Sequence, residues 1–336
     1  MPYYAPLTHR QDKDRIIDGL LRLRVQLDDA IPARSLSDML LATWNIREFD
    51  SPAYGQRTED AFYFIAEIVS RFDIVAIQEV RRDLTALKRL MRVLGSRWDY
   101  IVTDTTGGDR GNNERLAYVF DTNRVRPSGL VGEIVVPPSA AGASIQLART
   151  PLVAGFQCGW AKFQLTTVHI LWGTSTENDP ERVEEIDALA ALLADRAADK
   201  EEVGDDNLVV LGDFNIFRPE SDTMNALTSH GWKIPAAIQV IPGSNVERNK
   251  KYDQIAVRDR QHRFALGDRA GAFDYFESVF RDVDADAYAD DRARPGKDPY
   301  QYKGWRTYQM SDHLPLWVQI KVDFSDEYLR ELRASR

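Results

Sequence analysis

Apolar residues recur along this chain with two periods, and the switches between them lay out its elements. From residue 14 to 30, Ile16, Leu20, Leu23 and Leu27 fall at helical spacing, which predicts an amphipathic helix packed on the body of the fold. Residues 39–46 (MLLATWNI) form a short apolar run rich in strand formers and read as a buried strand. A helix is predicted over 59–71, a second buried strand over 72–80 (FDIVAIQEV), and another helix near 84–94. Next come strands, of which 114–120 (ERLAYVF) and 162–170 (KFQLTTVHI) are the clearest. Asp179 offers a cap with Pro180 at the first helical position, and Val183, Ile186, Leu189 and Leu193 give that helix one apolar face. Residues 207–215 (NLVVLGDFN), YDQIAV and LPLWVQI complete the strands. Ser325 is read as the cap of a last helix, with Asp326 and Glu327 in its first turn, where the dipole favours negative charge.

Residues 104–113 are rich in Gly and Asn, and 281–304 are polar with two prolines. Both read as loops and not as linkers, because the strands on either side are needed for the same core. No repeat is seen. Strands and helices alternate without the strict order of a parallel barrel, which points to packed mixed sheets with outer helices.

Composition narrows the partners. Of 336 residues, 43% are apolar, enough for a sizeable core. The formal charge of -9, from 52 acidic and 43 basic side chains, excludes a strongly basic nucleic-acid coat. It leaves room for a bound cation and a local basic rim to hold a phosphate. Cys158 stands alone, so no internal disulfide forms, and it reads as a buried apolar filler. The first residues hold no apolar core of signal-peptide length, and no run approaches the roughly 20 residues that cross a bilayer. The expectation is a cytoplasmic protein with no membrane association; no feature points to a protein partner.

Several apolar strands end in residues that a core does not want. Asn45 closes ATWNI, Glu79 closes IVAIQEV, His169 closes TTVHI, and Asp213 and Asn215 close VVLGDFN. Asp253 opens DQIAV, and Asp312 and His313 precede LPLWVQI. Unpartnered polar groups beside apolar strands cost roughly 2–7 kcal/mol each, so these ends are expected to converge on a shared ligand. Three carboxylates (Glu79, Asp213, Asp312) and two amides (Asn45, Asn215) make a hard oxygen set that suits Mg²⁺ or Mn²⁺. His169 and His313 beside them can act as acid, base or charge stabiliser.

The ordered series TWN, QE, ERLAYVF, VH, GDFN, YDQI and SDH resembles the endonuclease/exonuclease/phosphatase superfamily, in particular its pancreatic-type deoxyribonuclease branch. The likeness runs over residues 39–320. It implies an α+β fold, a four-layer sandwich of two packed mixed β-sheets flanked by helices. That fold would form one domain over 1–336, with a helical N-terminal extension (1–36) and a C-terminal helix (324–336). By the same resemblance, Asn45 and Glu79 hold or position a catalytic cation with Asp312 in support. Asp213 and Asn215 bind the scissile phosphate, orient water or hold a second metal. His169 and His313 form the histidine pair, oriented by Glu114 and Asp253. The implied function is a nuclease hydrolysing DNA or RNA by in-line attack of water. The alternative is a phosphatase or phosphodiesterase acting on an inositol phosphate, a nucleotide or a phospholipid headgroup. Trp172 departs from the family, which more often has a small or polar residue there.

Five cations near these motifs are candidate phosphate contacts: Arg47 just after Asn45, Lys250 and Lys251 just before Asp253, and Lys303 and Arg306 in the second loop's aromatic stretch. The two loops, 104–113 and 281–304, are expected to flank the cleft. Asp282, Asp284 and Asp286 alternate like a calcium loop, but Ala287 stands where that loop needs Gly, so a solvated acidic loop is expected.

Overall fold

The apolar runs become the inner strands of two sheets in a computed structural model, which describes residues 2–49, 51, 55–107, 110–136, 147–199, 206–258, 263–294 and 296–335. In chain order the strands are β1 (Asp38–Phe49), β2 (Ile74–Arg81), β3 (Trp98–Val102), β4 (Glu114–Asp121), β5 (Val125–Glu133) and β6 (Leu152–Cys158). They continue with β7 (Ala161–His169), β8 (Asn207–Asp213), β9 (Asp253–Arg258), β10 (Ala265–Ala272) and β11 (Leu316–Lys321). One sheet has the order β10-β11-β1-β2-β4-β3 and the other β5-β6-β7-β8-β9. Both are mixed: β1 runs parallel to β2 and β7 to β8, while their other neighbours are antiparallel.

Helices α1 (Lys13–Ala30), α2 (Glu59–Val69) and α3 (Thr85–Leu94) cover the six-stranded sheet. Helix α4 (Pro180–Ala198) covers the five-stranded one, with α5 (Asp222–Thr228) beside it and α6 (Ala236–Gln239) near β10. Helix α7 (Tyr302–Gln309) lies against β1, and α8 (Ser325–Ala334) ends the described chain. This is the expected α+β sandwich of two sheets flanked by helices.

Residue alternation explains the uninterrupted apolar run of β1. Leu40, Ala42, Trp44 and Ile46 pack with the helices, and Met39 and Leu41 pack with the other sheet. Near the far end of the strand the inter-sheet core turns polar. Gln78 donates to Thr43 Oγ1 at 3.1 Å and to Thr167 Oγ1 at 2.9 Å, bridging the two sheets. Cys158 is buried in the same core, and burial pushes its thiol up to about 11.

Four strands, β3, β5, β6 and β10, have no predicted counterpart, and three of them, β3, β5 and β10, are sheet edges. Edge strands are half-solvated, so they lack the apolar run that marks an inner strand. The second loop is also more ordered than its polarity implies. Asp282–Tyr288 forms a 3-10 turn, α7 begins at Tyr302, and Tyr288, Tyr302 and Trp305 are buried against the helical core. Its acidic residues pair with cations, Asp284 with Arg281 and Asp282 with Arg306. Ser325 does not cap α8. It is the first helical residue, and its amide donates to Asp323 Oδ1 at 2.9 Å.

Candidate active site

Strand direction and register gather the polar strand ends at one end of the sandwich. His169 and Asp213 are cross-strand partners between β7 and β8, and Asp213 and Asp253 are partners between β8 and β9. From the other sheet, Asn45 lies near the end of β1, Glu79 near the end of β2, and Glu114 opens antiparallel β4. His313 precedes β11, antiparallel to β1, and so reaches the same end.

Among the non-glycine residues with left-handed backbone here are Glu48 (φ 51°), Glu79 (φ 61°), Asn112 (φ 52°), Asn113 (φ 55°) and Asn215 (φ 52°). Simple alternation would put Glu79 on the helix-facing side with Ile77. The left-handed turn, with a register shift between Ile77 and Val80, instead brings Glu79 Oε1 within 2.8 Å of Asn45 Nδ2. Glu79 Oε2 accepts from the Glu48 amide at 2.6 Å. Asn215 is held on both sides, its amide donating to Asp213 Oδ1 at 2.9 Å and its Nδ2 to the Ile170 carbonyl at 2.8 Å. Before them, Gly212 has φ 140°, and a Cβ there would lie 2.1 Å from the Val168 carbonyl oxygen, so the β7–β8 approach requires glycine.

Two histidine–carboxylate pairs flank Asp213. His169 Nδ1 is 2.8 Å from Glu114 Oε2, and His313 Nδ1 is 2.8 Å from Asp253 Oδ2. Glu114 is fixed in turn by Arg149 at 3.0 and 3.2 Å and by Asn112 at 2.6 Å. Both free ring nitrogens face one oxygen, Asp213 Oδ2, at 3.6 Å from His169 and 3.7 Å from His313. Burial works against charge on His169, as does Arg149, but the Glu114 and Asp213 carboxylates outweigh them and hold its pKa above the ordinary value. Burial also opposes charge on His313, yet Asp253 and Asp213 raise it well above the usual histidine range. Glu114, despite burial, is lowered to about 2, chiefly by His169.

The oxygen set fits a hard divalent cation. Asn45 donates from Nδ2 to Glu79 and, at 2.9 Å, to Asp213, which leaves its Oδ1 buried without a partner. Burial, then the charge of Glu114, pushes the Glu79 carboxyl up and outweighs the opposing charge of His169. An orphaned amide oxygen beside such a carboxylate is the donor pattern that Mg²⁺ or Mn²⁺ takes. Asp213, Asp253 and His313 also present donor atoms within 4.8 Å of one another. His313 Nδ1 and Asp253 Oδ2 already bond each other, whereas Asn45 Oδ1 is unpartnered beside the Glu79 carboxylate, which favours Asn45 and Glu79 as the seat. Asp312 stands at the rim, its side chain 41% exposed and 3.3 Å from Arg47.

Of the candidate phosphate contacts, Arg47 lies beside Asp312 at the rim. It bonds Thr307 at 2.6 Å and the Tyr308 hydroxyl at 2.9 Å, and its guanidinium stacks 3.9 Å above the Tyr308 ring. Lys251 turns to the Gln239 carbonyl. Lys303 is exposed and sits 3.8 Å from Asp282. Arg306 is 12% exposed, donates to the Phe280 carbonyl at 3.0 Å and to Asp282 at 2.9 Å, and packs on Phe276. It ties the second loop to the core. Arg306→Ala is therefore expected to lower stability by about 1–3 kcal/mol in denaturant unfolding. The salt dependence of substrate binding should stay unchanged, and a flattened salt slope would restore Arg306 as a phosphate contact.

Some supporting residues carry no local sequence signal. Gln78 bridges the sheets behind Asn45. Arg57, 3% exposed, donates to the carbonyls of Arg47, Gln309 and Met310 and so holds the segment leading into Ser311-Asp312-His313. The Tyr275 hydroxyl clamps the carbonyls of Ser311 and His313, each at 2.8 Å. All three act through contacts distant in sequence.

Comparison with known proteins supports the family and the fold. Residues 42–307 match the model of the Endonuclease/Exonuclease/phosphatase family. A protein named deoxyribonuclease from Thioalkalivibrio sp. (strain K90mix) is 26% identical over 295 residues, covering 86% of this chain and 72% of that one. Two solved structures from Bacteroides thetaiotaomicron share the fold. An endonuclease/exonuclease/phosphatase family protein matches at a TM-score of 0.57 with 19% identity, over 85% of this chain and 96% of that one. A mannosyl-6-phosphatase matches at 0.56 with 18% identity, over 84% and 99%.

Proposed function

Since this chain belongs to the endonuclease/exonuclease/phosphatase family and is a phosphoester hydrolase, we propose that it is a nuclease that hydrolyses phosphodiester bonds of DNA with Mg²⁺ or Mn²⁺. The observation that carries this reading is the pair of imidazoles, each backed by a carboxylate at 2.8 Å, facing Asp213 Oδ2 from two sides. Hydrolysis of a diester anion requires charge compensation on the phosphate, an oriented water and a proton for the leaving oxygen. Asn45 and Glu79, with Asp312 at the rim, would hold the cation, which when bound neutralises phosphate oxygens and developing charge.

The protein's own groups do the rest. Asp213, fixed by Asn45, accepts a hydrogen bond from the attacking water and aims it. His169 and His313 meet the phosphate through Nε2, where each donates a hydrogen bond when charged and takes one up when neutral. Glu114 and Asp253 hold the rings so that Nδ1 is engaged and Nε2 is free to react. Arg47 at the rim adds a fixed positive charge beside the bound strand. The deoxyribonuclease relative supports DNA as the substrate.

A substrate panel with each ion tests the proposal: plasmid, single-stranded DNA, RNA, inositol phosphates and a nucleotide. Turnover of DNA is the expected result. Turnover confined to an inositol phosphate or nucleotide would replace the nuclease reading with a small-substrate phosphatase.

A further inference from the structure

Trp172 breaks the ordinary rule of burial. Its side chain is 42% exposed, yet the loop that carries it is held from below. Arg182 on α4 is completely buried, and its guanidinium donates to the carbonyls of Leu171, Trp172, Thr174, Thr176, Glu177 and Asn215. Asp179 adds the amide and hydroxyl of Thr174, at 3.0 and 2.7 Å. A buried guanidinium with this many carbonyl partners fixes the loop, and its carbon lies 5.4 Å from the centroid of the part-exposed indole.

The ring is also the outer member of a series that leads to the site. Trp172 lies 5.6 Å from Phe217 at 34°, and 5.6 Å from Tyr252 at 80°. Tyr252 in turn lies 5.5 Å from the His313 ring at 35°. Lys250 Nζ sits 4.1 Å from the Phe217 ring, and Phe217 is buried beneath the indole. A rigid flat surface with a cation at its side therefore stands two ring-to-ring steps from His313.

Deepening the nuclease reading on which it rests, we infer that Trp172, backed by Phe217 and Tyr252, is a stacking subsite for an unpaired nucleobase next to the scissile phosphate. Lys250 holds the neighbouring phosphate. Every base offers a π face, so the subsite tolerates any sequence. A base within a duplex has both faces covered by its neighbours. The platform therefore selects single strands or unstacked ends.

The test uses the full chain and two substrates of equal length, oligothymidylate and an oligomer of abasic tetrahydrofuran phosphates. Trp172→Leu keeps an apolar cover and removes the π face, while Trp172→Phe keeps both. Thermal unfolding of each variant confirms that it is folded. The expected result is a KM for oligothymidylate raised at least about 5-fold in Trp172→Leu, near wild type in Trp172→Phe, with the abasic oligomer unaffected. Should the wild type cut oligothymidylate alone, the contrast between Leu and Phe on that substrate decides. Equal losses on both oligomers, or Leu and Phe variants that behave alike, overturn the platform. A wild type that cuts plasmid but neither oligomer overturns the subsite and leaves the nuclease reading standing; one that cuts no nucleic acid overturns both.

Discussion

Replacing His313 by alanine is expected to lower kcat by about 10²–10⁴-fold, the usual contribution of a general acid or base. The ring is buried, and its Nε2 is one of two nitrogens facing Asp213. No side chain among the described residues stands ready to replace it: His169 is engaged by Glu114 on the opposite side of Asp213. The substitution also strips Asp253 of its partner, and that carboxylate already has a buried, unpartnered Oδ1. Removing one member of a buried pair destabilises by about 3–5 kcal/mol, so unfolding must be measured alongside kcat. Asp213→Asn keeps volume and one acceptor, while its new NH2 meets either Asn45 Nδ2 or the Asn215 amide, so its unfolding is measured too. It should lose rate to a similar degree while remaining folded. Glu114→Gln and Asp253→Asn should lose less, because those carboxylates orient the rings and do not meet substrate. A folded His313→Ala or Asp213→Asn enzyme with near wild-type kcat would remove that residue from the chemistry.

Chelation is expected to abolish turnover completely, and Mg²⁺ or Mn²⁺ to restore it. Two groups motivate this. Asn45 Oδ1 is a buried oxygen with no hydrogen-bond partner, and Glu79 is a half-buried carboxylate bonded, among the described residues, to the amides of Asn45 and Glu48. A cation that binds the folded state alone also stabilises it, by about 2.7 kcal/mol at a hundredfold excess over Kd. Added Mg²⁺ or Mn²⁺ should thus raise the Tm of chelator-treated protein, and Asn45→Ala should blunt that shift. This second readout is independent of substrate. Full activity in chelator, with no Tm response to either ion, would refute the metal assignment.

Asn45, His169, Asp213 and Asp253 are legible in the sequence because each ends or opens a strand buried on both faces, where an idle polar group is costly. The sheet pairing is not legible, yet register alone makes His169, Asp213 and Asp253 neighbours. Glu79 shows the limit of periodicity: alternation assigns it to the wrong face, and a left-handed residue corrects it. Lys251, Lys303 and Arg306 mark another limit. Closeness to a motif along the chain does not say which way a long side chain turns, and these three turn to Gln239 and Asp282. Arg182 gives no local sign at all, because its six carbonyl partners are assembled only by folding.

The Gln78 bridge between the sheets has a consequence for how the protein fails. Glu114 belongs to one sheet and its partner His169 to the other; Asn45 and Asp213 are divided in the same way. Neither half of the sandwich therefore owns a working set of groups, and the chemistry lives on the seam. A partly opened molecule that kept one sheet intact would retain much of its secondary structure and none of its function. Activity is then a gauge of inter-sheet closure: on heating or in denaturant it should vanish no later than the first parting of the two layers.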